Sequence, residues 1–194
     1  MIFLESSLSP LCLQFCQEHI APLSSFEIAN EILQNICGIW QFFDTQADFI
    51  TLKNQFKATD QNTENVDRRA YGDFQTNDNL AEKINQLLAE KGTNPQLIIE
   101  PTCGKGAFII AALKHFRGIQ KIVGIEIYRP YVWQTKFRIL HLHLNKETLC
   151  KPIIKIFHAD IFTFSFEKLA KENIHLNTLI IGNPPWVTNS ELGT

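Results

Sequence analysis

The stretch that decides the fold is L-I-I-E-P-T-C-G-K-G-A-F, residues 97–108, in which a short apolar run leads through a glycine turn into a helical pattern. The run Leu97-Ile98-Ile99 predicts a buried strand. Gly104 and Gly106 tolerate backbone conformations that other residues avoid, and glycine lets a ligand approach the main chain closely. The stretch therefore predicts a strand, a tight turn and a helix, with a candidate binding site at the turn.

Apolar runs and helical patterns alternate from this stretch onward. Further strands are predicted at residues 121–125, 153–157 and 179–181, and helices at residues 107–116, 130–144 and 164–172. This alternation predicts an α/β fold with a doubly wound, mostly parallel sheet and helices on both faces. The last strand is expected to be buried on both faces and to end at the two prolines that follow it.

The amino-terminal part has a different pattern. Apolar residues recur at spacings of three or four from Phe26 to Trp40, and Ser24 with Glu27 fits a capping box. We therefore expect an amphipathic helical region at residues 1–57. A polar stretch without periodicity predicts a linker at residues 58–70, and the α/β core is expected at residues 71–194.

Composition limits the class of protein. With 194 residues, 45% of them hydrophobic, the chain is long enough for one sizeable core, and its formal charge of −2 shows no basic excess for a phosphate backbone. Five cysteines without a C-x-x-C pair predict reduced thiols in a cytoplasmic protein. Cys12, Cys16 and His19 stand at helical spacing, but packing is favoured over a metal site. The sequence predicts neither a signal peptide nor a membrane span.

Acidic residues follow the second and third predicted strands. Glu126 stands roughly 20 residues beyond Gly106, the distance at which a carboxylate in a strand–helix–strand unit accepts ribose hydroxyl protons. Asp160 could accept from the amino group of an adenine ring. Acidic residues at strand ends are also commonly just solvated, and glycine turns often have purely structural reasons. Several such sites at one sheet edge favour a nucleoside-containing cofactor lying across that edge.

The fourth strand ends at N-P-P-W, residues 183–186. Proline fixes its own φ and restricts the residue before it, so the Asn183 carboxamide and the Pro184 carbonyl are expected to be held rigidly. Two rigid acceptors beside the Trp186 ring suit a flat heterocycle that bears an amino group. The other interpretation is a proline-rich surface turn with an incidental aromatic residue; the upstream motifs favour the binding site.

Taken in chain order, E-P-T-C-G-K-G-A-F, I-E-I, H-A-D-I-F and N-P-P-W resemble the motifs of class I S-adenosylmethionine-dependent DNA methyltransferases that modify an exocyclic amine of a base. The form of the glycine loop is typical of adenine-N6 members, and the match runs from about residue 71 to 186. The resemblance implies a Rossmann-like methyltransferase core. It also implies methyl transfer from S-adenosylmethionine to a flipped adenine of DNA, within a restriction-modification system.

Individual roles are implied by the same resemblance. In the gamma motif order, an aromatic residue and a threonine of Y-G-D-F-Q-T, residues 71–76, close over the methionine end of the cofactor. Asn77 stands where the family usually has proline, and the alternative is that Thr76 or Asn77 caps the next helix. The implied cofactor contacts are Phe74, Thr76, Glu100, Pro101, Thr102, Cys103, Gly104, Gly106, Phe108, Glu126, Ile127, Asp160 and Ile161. In this assignment the loop residues with Glu100 face the methionine part, Glu126 the ribose, and Asp160 with Ile161 the adenine.

The implied catalytic residues are Asn183, Pro184, Pro185 and Trp186, with no metal. Asn183 and Pro184 would hold the target amine while Trp186 stacks on the flipped base, in a direct in-line displacement without a covalent enzyme intermediate. The Cys103 thiol is then expected to pack at the glycine turn rather than act as a nucleophile.

Other classes stay open. A methyltransferase of protein glutamine or RNA guanine also uses N-P-P with an aromatic residue, although its glycine loop usually differs, and a non-catalytic remnant could keep the cofactor fold. A dinucleotide-dependent dehydrogenase is disfavoured because the loop lacks the third glycine.

The chain ends at Thr194, shortly after N-P-P-W, whereas methyltransferases of this type usually add three more strands and, in the gamma order, a target-recognition domain. We therefore expect a truncated product or the amino-terminal piece of a split enzyme, inactive alone. Its expected partners are DNA and a second polypeptide, or a missing carboxyl-terminal segment. The strand at residues 177–182 is then expected to have an unpaired edge. The disfavoured alternative is that the helices of residues 9–56 cover this edge.

Overall fold

The computed structural model describes residues 8–57 and 75–184. The predicted linker at residues 58–70 lies outside these ranges, as do Phe74, Pro185 and Trp186. The elements are α1 (Pro10–Phe15), a π-helical turn (Cys16–Ile20), α2 (Phe26–Cys37), α3 (Gln46–Lys57), α4 (Asp78–Glu90), β1 (Leu97–Glu100), α5 (Ala107–His115), β2 (Lys121–Glu126), α6 (Arg129–Leu144), β3 (Ile153–His158), α7 (Phe166–Glu172) and β4 (Thr178–Ile180).

The four strands form one sheet in the order β3-β2-β1-β4, and every neighbouring pair is parallel. Leu97 of β1 pairs with Lys121 of β2 on one side and with Thr178 of β4 on the other. The strand order reverses between β1 and β4, which is where ligands bind in open sheets of this kind. The predicted alternation of four strands and three helices is thus confirmed.

Helices cover both faces of the sheet. Successive strand residues point to opposite faces. Ile98 and Ile122 therefore pack into the larger core with α5 and α6, while Ile99 and Val123 pack into a smaller cluster with Leu169 of α7. Placing α5 and α6 on one face and α7 on the other makes the fold doubly wound, as predicted.

Two helix starts differ from the sequence prediction. Ser25, not Ser24, caps α2, because its hydroxyl oxygen accepts a hydrogen bond from Ile28 N at 3.1 Å. The predicted capping box of Ser24 and Glu27 is therefore wrong by one residue. The helix predicted from residue 164 begins at Phe166, while the Phe164 ring packs against Phe157 with ring centroids 5.2 Å apart. The apolar spacing around Phe164 reflects this contact rather than a helical turn.

The amino-terminal helices lie beside the β3 edge. The helix α2 ends at Gly38, whose φ of 75° turns the chain so that Ile39 forms a bridge to Ile154 of β3. Trp40, which was included in the helical pattern, lies beyond the helix end. These helices share the larger core with α5 and α6. Within the described residues they do not cover the opposite edge, at β4.

A buried lysine ties the loop after α2 to α6. Lys136 is fully buried, and its ammonium donates to the carbonyls of Phe42 at 2.9 Å and Gln41 at 3.3 Å and to the Asp44 carboxylate at 3.0 Å. Burial lowers the pKa of this ammonium group. Since a buried charge is tolerated only when it is paired, this cluster fixes α6 against the amino-terminal region.

The prediction that the last strand is buried on both faces is wrong for the part of the chain that the structure describes. Ile180 of β4 is 65% exposed, and Leu179 is half-buried. Within the described residues β4 pairs with β1 alone, so one of its edges is open and its outer side chains have no neighbouring strand. The expectation of an unpaired edge at residues 177–182 stays a prediction, because residues 185–194 lie outside the described ranges.

Candidate functional site

The candidate residues lie at the edge of the sheet where the parallel strands end. The glycine loop, residues 101–106, follows β1, and Glu126 is the last residue of β2. Asp160 follows β3, and Asn183 follows β4. Because the strands are parallel, their carboxyl ends meet at this one edge. The fold thus places the glycine loop, Glu126, Asp160 and Asn183 along one edge of the sheet.

The backbone N–H groups of residues 103–106 all donate within the protein. The acceptors are Ile125 O for Cys103 (2.8 Å), the Glu126 carboxylate for Gly104 (2.8 Å), the Gln75 side chain for Lys105 (3.0 Å) and Cys103 O for Gly106 (2.6 Å). The loop is therefore already formed by internal hydrogen bonds. It differs in this respect from a phosphate-binding loop, whose N–H groups point at the ligand.

Gly104 and Gly106 make room for side chains of the protein itself. Both have positive φ, 51° and 74°. A Cβ at residue 104 would lie 2.6 Å from Gln75 Oε1, and a Cβ at residue 106 would lie 2.6 Å from Thr135 Cγ2. The positive φ values and these close approaches explain why glycine is needed at both positions. Close approach by a ligand stays a prediction.

Glu126 connects β2 to the glycine loop. Its Oε2 accepts from Gly104 N at 2.8 Å and its Oε1 from Tyr128 N at 2.7 Å. Each carboxylate oxygen can accept more than one hydrogen bond, so the group can still take protons from a ligand. The side chain is 8% exposed, and burial raises the pKa of its carboxyl group.

Glu100 lies beneath the loop and caps α5. It is 2% exposed, and its Oε2 accepts from Ile109 N at 3.1 Å, in the first turn of the helix. Burial raises the pKa of this carboxyl group well above its usual value. A carboxylate at a helix N-terminus takes the position that a bound phosphate would otherwise occupy. The N-terminus of α5 is therefore not free to bind a phosphate. Contact between Glu100 and a methionine group stays a prediction.

The remaining loop residues differ in exposure. Phe108 is 4% exposed and packs in the core, and Cys103 is 3% exposed. Burial raises the pKa of the Cys103 thiol well above its usual value, which keeps it in the unreactive thiol form. Thr102 and Pro101 are half-buried. The Thr102 hydroxyl oxygen is enclosed and has no hydrogen-bond partner among the described residues.

The segment after β3 turns sharply at Asp160. Its Oδ1 accepts from Phe162 N at 2.9 Å, and its backbone carbonyl accepts from the Thr163 hydroxyl at 3.2 Å. Asp160 and Ile161 are half-buried, while Ile127 after β2 is 54% exposed. Two aliphatic side chains and a carboxylate thus stand at neighbouring strand ends, an arrangement that suits a flat ring with an amino group.

The segment before α4 contacts the glycine loop. The Gln75 side chain accepts from Lys105 N, and Thr76 is half-buried beside it in the chain. The cap of α4 is Asn77, whose Oδ1 accepts from Asn79 N at 2.8 Å. Of the two alternatives for this segment, Asn77 thus provides the cap, and cofactor contact by Thr76 stays a prediction.

Asn183 and Pro184 are exposed at the end of β4. The strand end adjoins the glycine loop, since a Cβ built on Gly182 would lie 3.5 Å from Pro101 Cδ. Ile181 N donates to Ile99 O at 3.0 Å, which continues the pairing with β1 almost to Asn183. The predicted amine-binding residue therefore lies next to the predicted cofactor loop.

Within residues 8–57 and 75–184, no group of three or more His, Cys, Asp or Glu side chains is arranged to hold a metal ion. Cys12, Cys16 and Cys37 are all buried, and burial raises the pKa of each thiol, in Cys37 to about 12. In the same described part of the chain, no helix is both long and apolar enough to cross a membrane.

Sequence reasoning missed two residues that hold the glycine loop. Thr135 Oγ1 donates to Gly104 O at 2.9 Å, and Arg138 Nη1 donates to Lys105 O at 2.7 Å. Both are on α6, far along the chain from the loop. No local pattern distinguishes a threonine or arginine that bonds a distant carbonyl from one that packs or is solvated.

No protein-family model matches the chain. Over 124 residues the chain is 42% identical to the Type II methyltransferase M.NspV of Nostoc sp. (strain ATCC 29411 / PCC 7524). This match covers 64% of the chain, which spans only 24% of the length of that curated relative. Among solved structures, the type IIG restriction endonuclease BpuSI is similar over 63% of this chain and 14% of its own, with a TM-score of 0.46 and 18% identity.

Proposed function

We propose that this chain is part of a restriction-modification DNA methyltransferase that transfers a methyl group from S-adenosylmethionine to adenine N6. The observation that carries the proposal is the hydrogen bond from Gly104 N–H to the Glu126 carboxylate, because it holds a ribose acceptor beside the glycine loop. The 42% identity to a Type II methyltransferase supports a DNA-modifying enzyme. In this proposal residues 71–194 form the methyltransferase core.

The hydrogen bonds of the site favour a cofactor without phosphate groups. A dinucleotide would place its pyrophosphate on loop N–H groups and on the N-terminus of α5. Here the loop N–H groups are already bonded, and Glu100 caps the helix. S-adenosylmethionine has no phosphate, so it does not need these N–H groups. This argues against a dinucleotide-dependent dehydrogenase.

The described residues offer a partner for each part of this cofactor. Glu126 accepts the ribose hydroxyl protons, and Asp160 accepts from the adenine amino group. Ile127 and Ile161 provide apolar contact for the adenine ring. Phe74 and Thr76 close over the methionine end.

S-adenosylmethionine supplies, when bound, an electrophilic methyl group on a positively charged sulfur. The chain's own residues hold and activate the acceptor. The Asn183 carboxamide and the Pro184 carbonyl accept the two amine protons, which directs the nitrogen lone pair toward the methyl group. Pro185 keeps the turn rigid, and Trp186 stacks on the flipped base, a contact that stabilises single bases by about 1–3 kcal/mol.

The open edge of β4 indicates what completes the enzyme. An exposed apolar strand with an unpaired edge readily pairs with another strand. Ile180 of this strand is 65% exposed. We propose that strands of a carboxyl-terminal continuation or of a second polypeptide pair there, and that this part also recognises DNA. The relative, which is about four times as long as the matched region, is consistent with such a part.

Protein glutamine and RNA guanine remain the alternative substrates, and no described feature of the site favours them over DNA. The five cysteines are all free thiols, which is consistent with the proposed cytoplasmic location.

The proposal is tested by tritium transfer from labelled S-adenosylmethionine to unmethylated DNA of mixed sequence. The chain is assayed alone and together with the polypeptide encoded immediately downstream of it. We expect transfer to adenine by the assembly, no sustained turnover by the chain alone, and loss of transfer in Asn183→Ala with unchanged cofactor affinity. Full activity of Asn183→Ala, or labelling of protein or RNA instead of DNA, would contradict the assignment.

A further inference from the structure

One face of α6 is directed at the glycine loop. Tyr131, Thr135 and Arg138 stand at spacings of four and three and therefore share a face of the helix. The Lys105 ammonium lies 5.1 Å from the Tyr131 ring centroid, and Thr135 Oγ1 donates to Gly104 O at 2.9 Å. Arg138 Nη1 donates to Lys105 O at 2.7 Å. Three successive positions of this face thus contact the loop.

Together with other hydrogen bonds, these contacts hold the three peptide planes between Cys103 and Gly106 at both ends. The plane between Gly104 and Lys105 has its carbonyl held by Thr135 and its N–H by Gln75. The next plane has its carbonyl held by Arg138 and its N–H by Cys103 O. The plane before Gly104 has its N–H held by Glu126 and its carbonyl by Gly106 N. Because the bond from Gly106 N to Cys103 O serves two planes, the three planes are held by five hydrogen bonds, of which Thr135 and Arg138 each provide one.

Arg138 also joins the loop to the segment before α4. Its Nη2 donates to Asp78 Oδ1 at 2.7 Å, and Asp78 is the first residue of α4. The planar guanidinium therefore fixes the distance between the loop carbonyl and the start of α4. Gln75, which holds Lys105 N, lies three residues before Asp78, so Arg138 supports that attachment indirectly.

We infer that Thr135 and Arg138 are positioning residues that preform the glycine loop for the cofactor. This inference rests on the proposed function, since it takes the loop as part of the S-adenosylmethionine site. Glycines with positive φ can rotate at little cost, so an unrestrained loop would have to be ordered when the cofactor binds. Restraining it in the free protein removes that entropic cost and raises affinity.

The test compares variants that remove a donor with variants that keep it. Thr135→Val keeps the side-chain shape and loses the hydroxyl, while Thr135→Ser keeps the hydroxyl. Arg138→Met and Arg138→Lys form a second pair. Phe137→Leu is the control for destabilisation, because its ring packs on the opposite side of α6, 5.2 Å from Phe42.

Two readouts are measured on the full chain: amide hydrogen exchange of residues 104–106 in the free protein, and S-adenosylmethionine affinity by calorimetry. We expect Thr135→Val and Arg138→Met to speed loop exchange about tenfold and to weaken binding about tenfold, the effect of one lost hydrogen bond. Thr135→Ser and Arg138→Lys should keep most of the slow loop exchange and most of the S-adenosylmethionine affinity of the wild type. Phe137→Leu should lower thermal stability. The ratio of the amide exchange rate in the loop to that in β2 should stay as it is in the wild type.

The inference is overturned if the amides of residues 104–106 exchange as slowly in both Thr135→Val and Arg138→Met as they do in the wild type, whatever the cofactor affinity. Should Thr135→Val fail to fold, the Arg138 pair decides the question. If the wild-type chain does not bind S-adenosylmethionine, the proposed function fails, and loop exchange alone then decides whether these residues restrain the loop. If binding is unchanged while exchange is faster, the loop is restrained but the restraint does not serve the cofactor, which also contradicts the inference.

Discussion

Replacing Gly106 with alanine should destabilise the protein more than the same change at Gly92, although the two positions have a similar backbone cost. Residue 106 has a φ of 74°, and a left-handed alanine costs about 1–2 kcal/mol, part of which is offset by the stiffer unfolded chain. The new Cβ would also lie 2.6 Å from Thr135 Cγ2. Such overpacking adds about 1–3 kcal/mol, so the total should be about 3 kcal/mol.

Gly92 provides the matched control for the backbone cost. Its φ of 86° is comparable, but a Cβ there would meet no atom within 4 Å. Gly92→Ala should therefore lower the unfolding free energy by about 1 kcal/mol only. Denaturant unfolding of both variants measures the difference, and in thermal unfolding each kcal/mol corresponds to about 2–4 °C.

A double variant isolates the contact between the two residues. Thr135→Ser removes the methyl group that the new Cβ would meet, so Gly106→Ala should cost less in that background than in the wild type. The close approach of α6 to the loop would be refuted if Gly106→Ala and Gly92→Ala lowered the unfolding free energy equally and if the effect of Gly106→Ala were the same with Thr135 and with Ser at that position.

Lys136→Met should lower the unfolding free energy by about 3 kcal/mol, because the carbonyls of Gln41 and Phe42 lose their buried donor; an unchanged denaturation midpoint would contradict this. Burial raises the pKa of Glu126. S-adenosylmethionine affinity should therefore weaken as pH falls through that raised pKa, since ribose hydroxyls donate to the ionised carboxylate, and Glu126→Gln should flatten the calorimetric pH profile. The same shift predicts how the stability of the free protein depends on pH. Its unfolding free energy should fall as pH rises from the usual carboxyl pKa of 4.5 through the raised value, because the folded state binds more protons than the unfolded state in this range. In Glu126→Gln the unfolding free energy should change less steeply with pH.

The order of strands and helices was predictable because local signals specify it. Short apolar runs of strand-forming residues alternate with helical spacings, and parallel pairing then places the ends of β1, β2 and β3 at one edge. The position of Glu126 beside the loop follows from that geometry. These features depend on residues close in sequence, or on a topology rule that applies to every chain of this class.

What could not be predicted depends on contacts between distant residues. The need for glycine at position 106 comes from Thr135, and at position 104 from Gln75. The exposure of Ile180 depends on which strands stand beside β4, which an apolar run does not reveal. The family resemblance assigns Glu100 to the cofactor, whereas its observed hydrogen bond is from Ile109 N in the first turn of α5, and nothing in the sequence distinguishes these roles.

The central claim is that the glycine loop and Glu126 bind S-adenosylmethionine, and calorimetry of the purified chain tests it most directly. The cofactor is titrated into the wild type and into Glu126→Ala, with folding of both checked by circular dichroism, and NAD is titrated in parallel. We predict one-to-one binding of S-adenosylmethionine, a loss of about 1–3 kcal/mol in Glu126→Ala, and no binding of NAD. A folded wild-type chain that binds NAD, or that gives no heat with S-adenosylmethionine, would contradict the account.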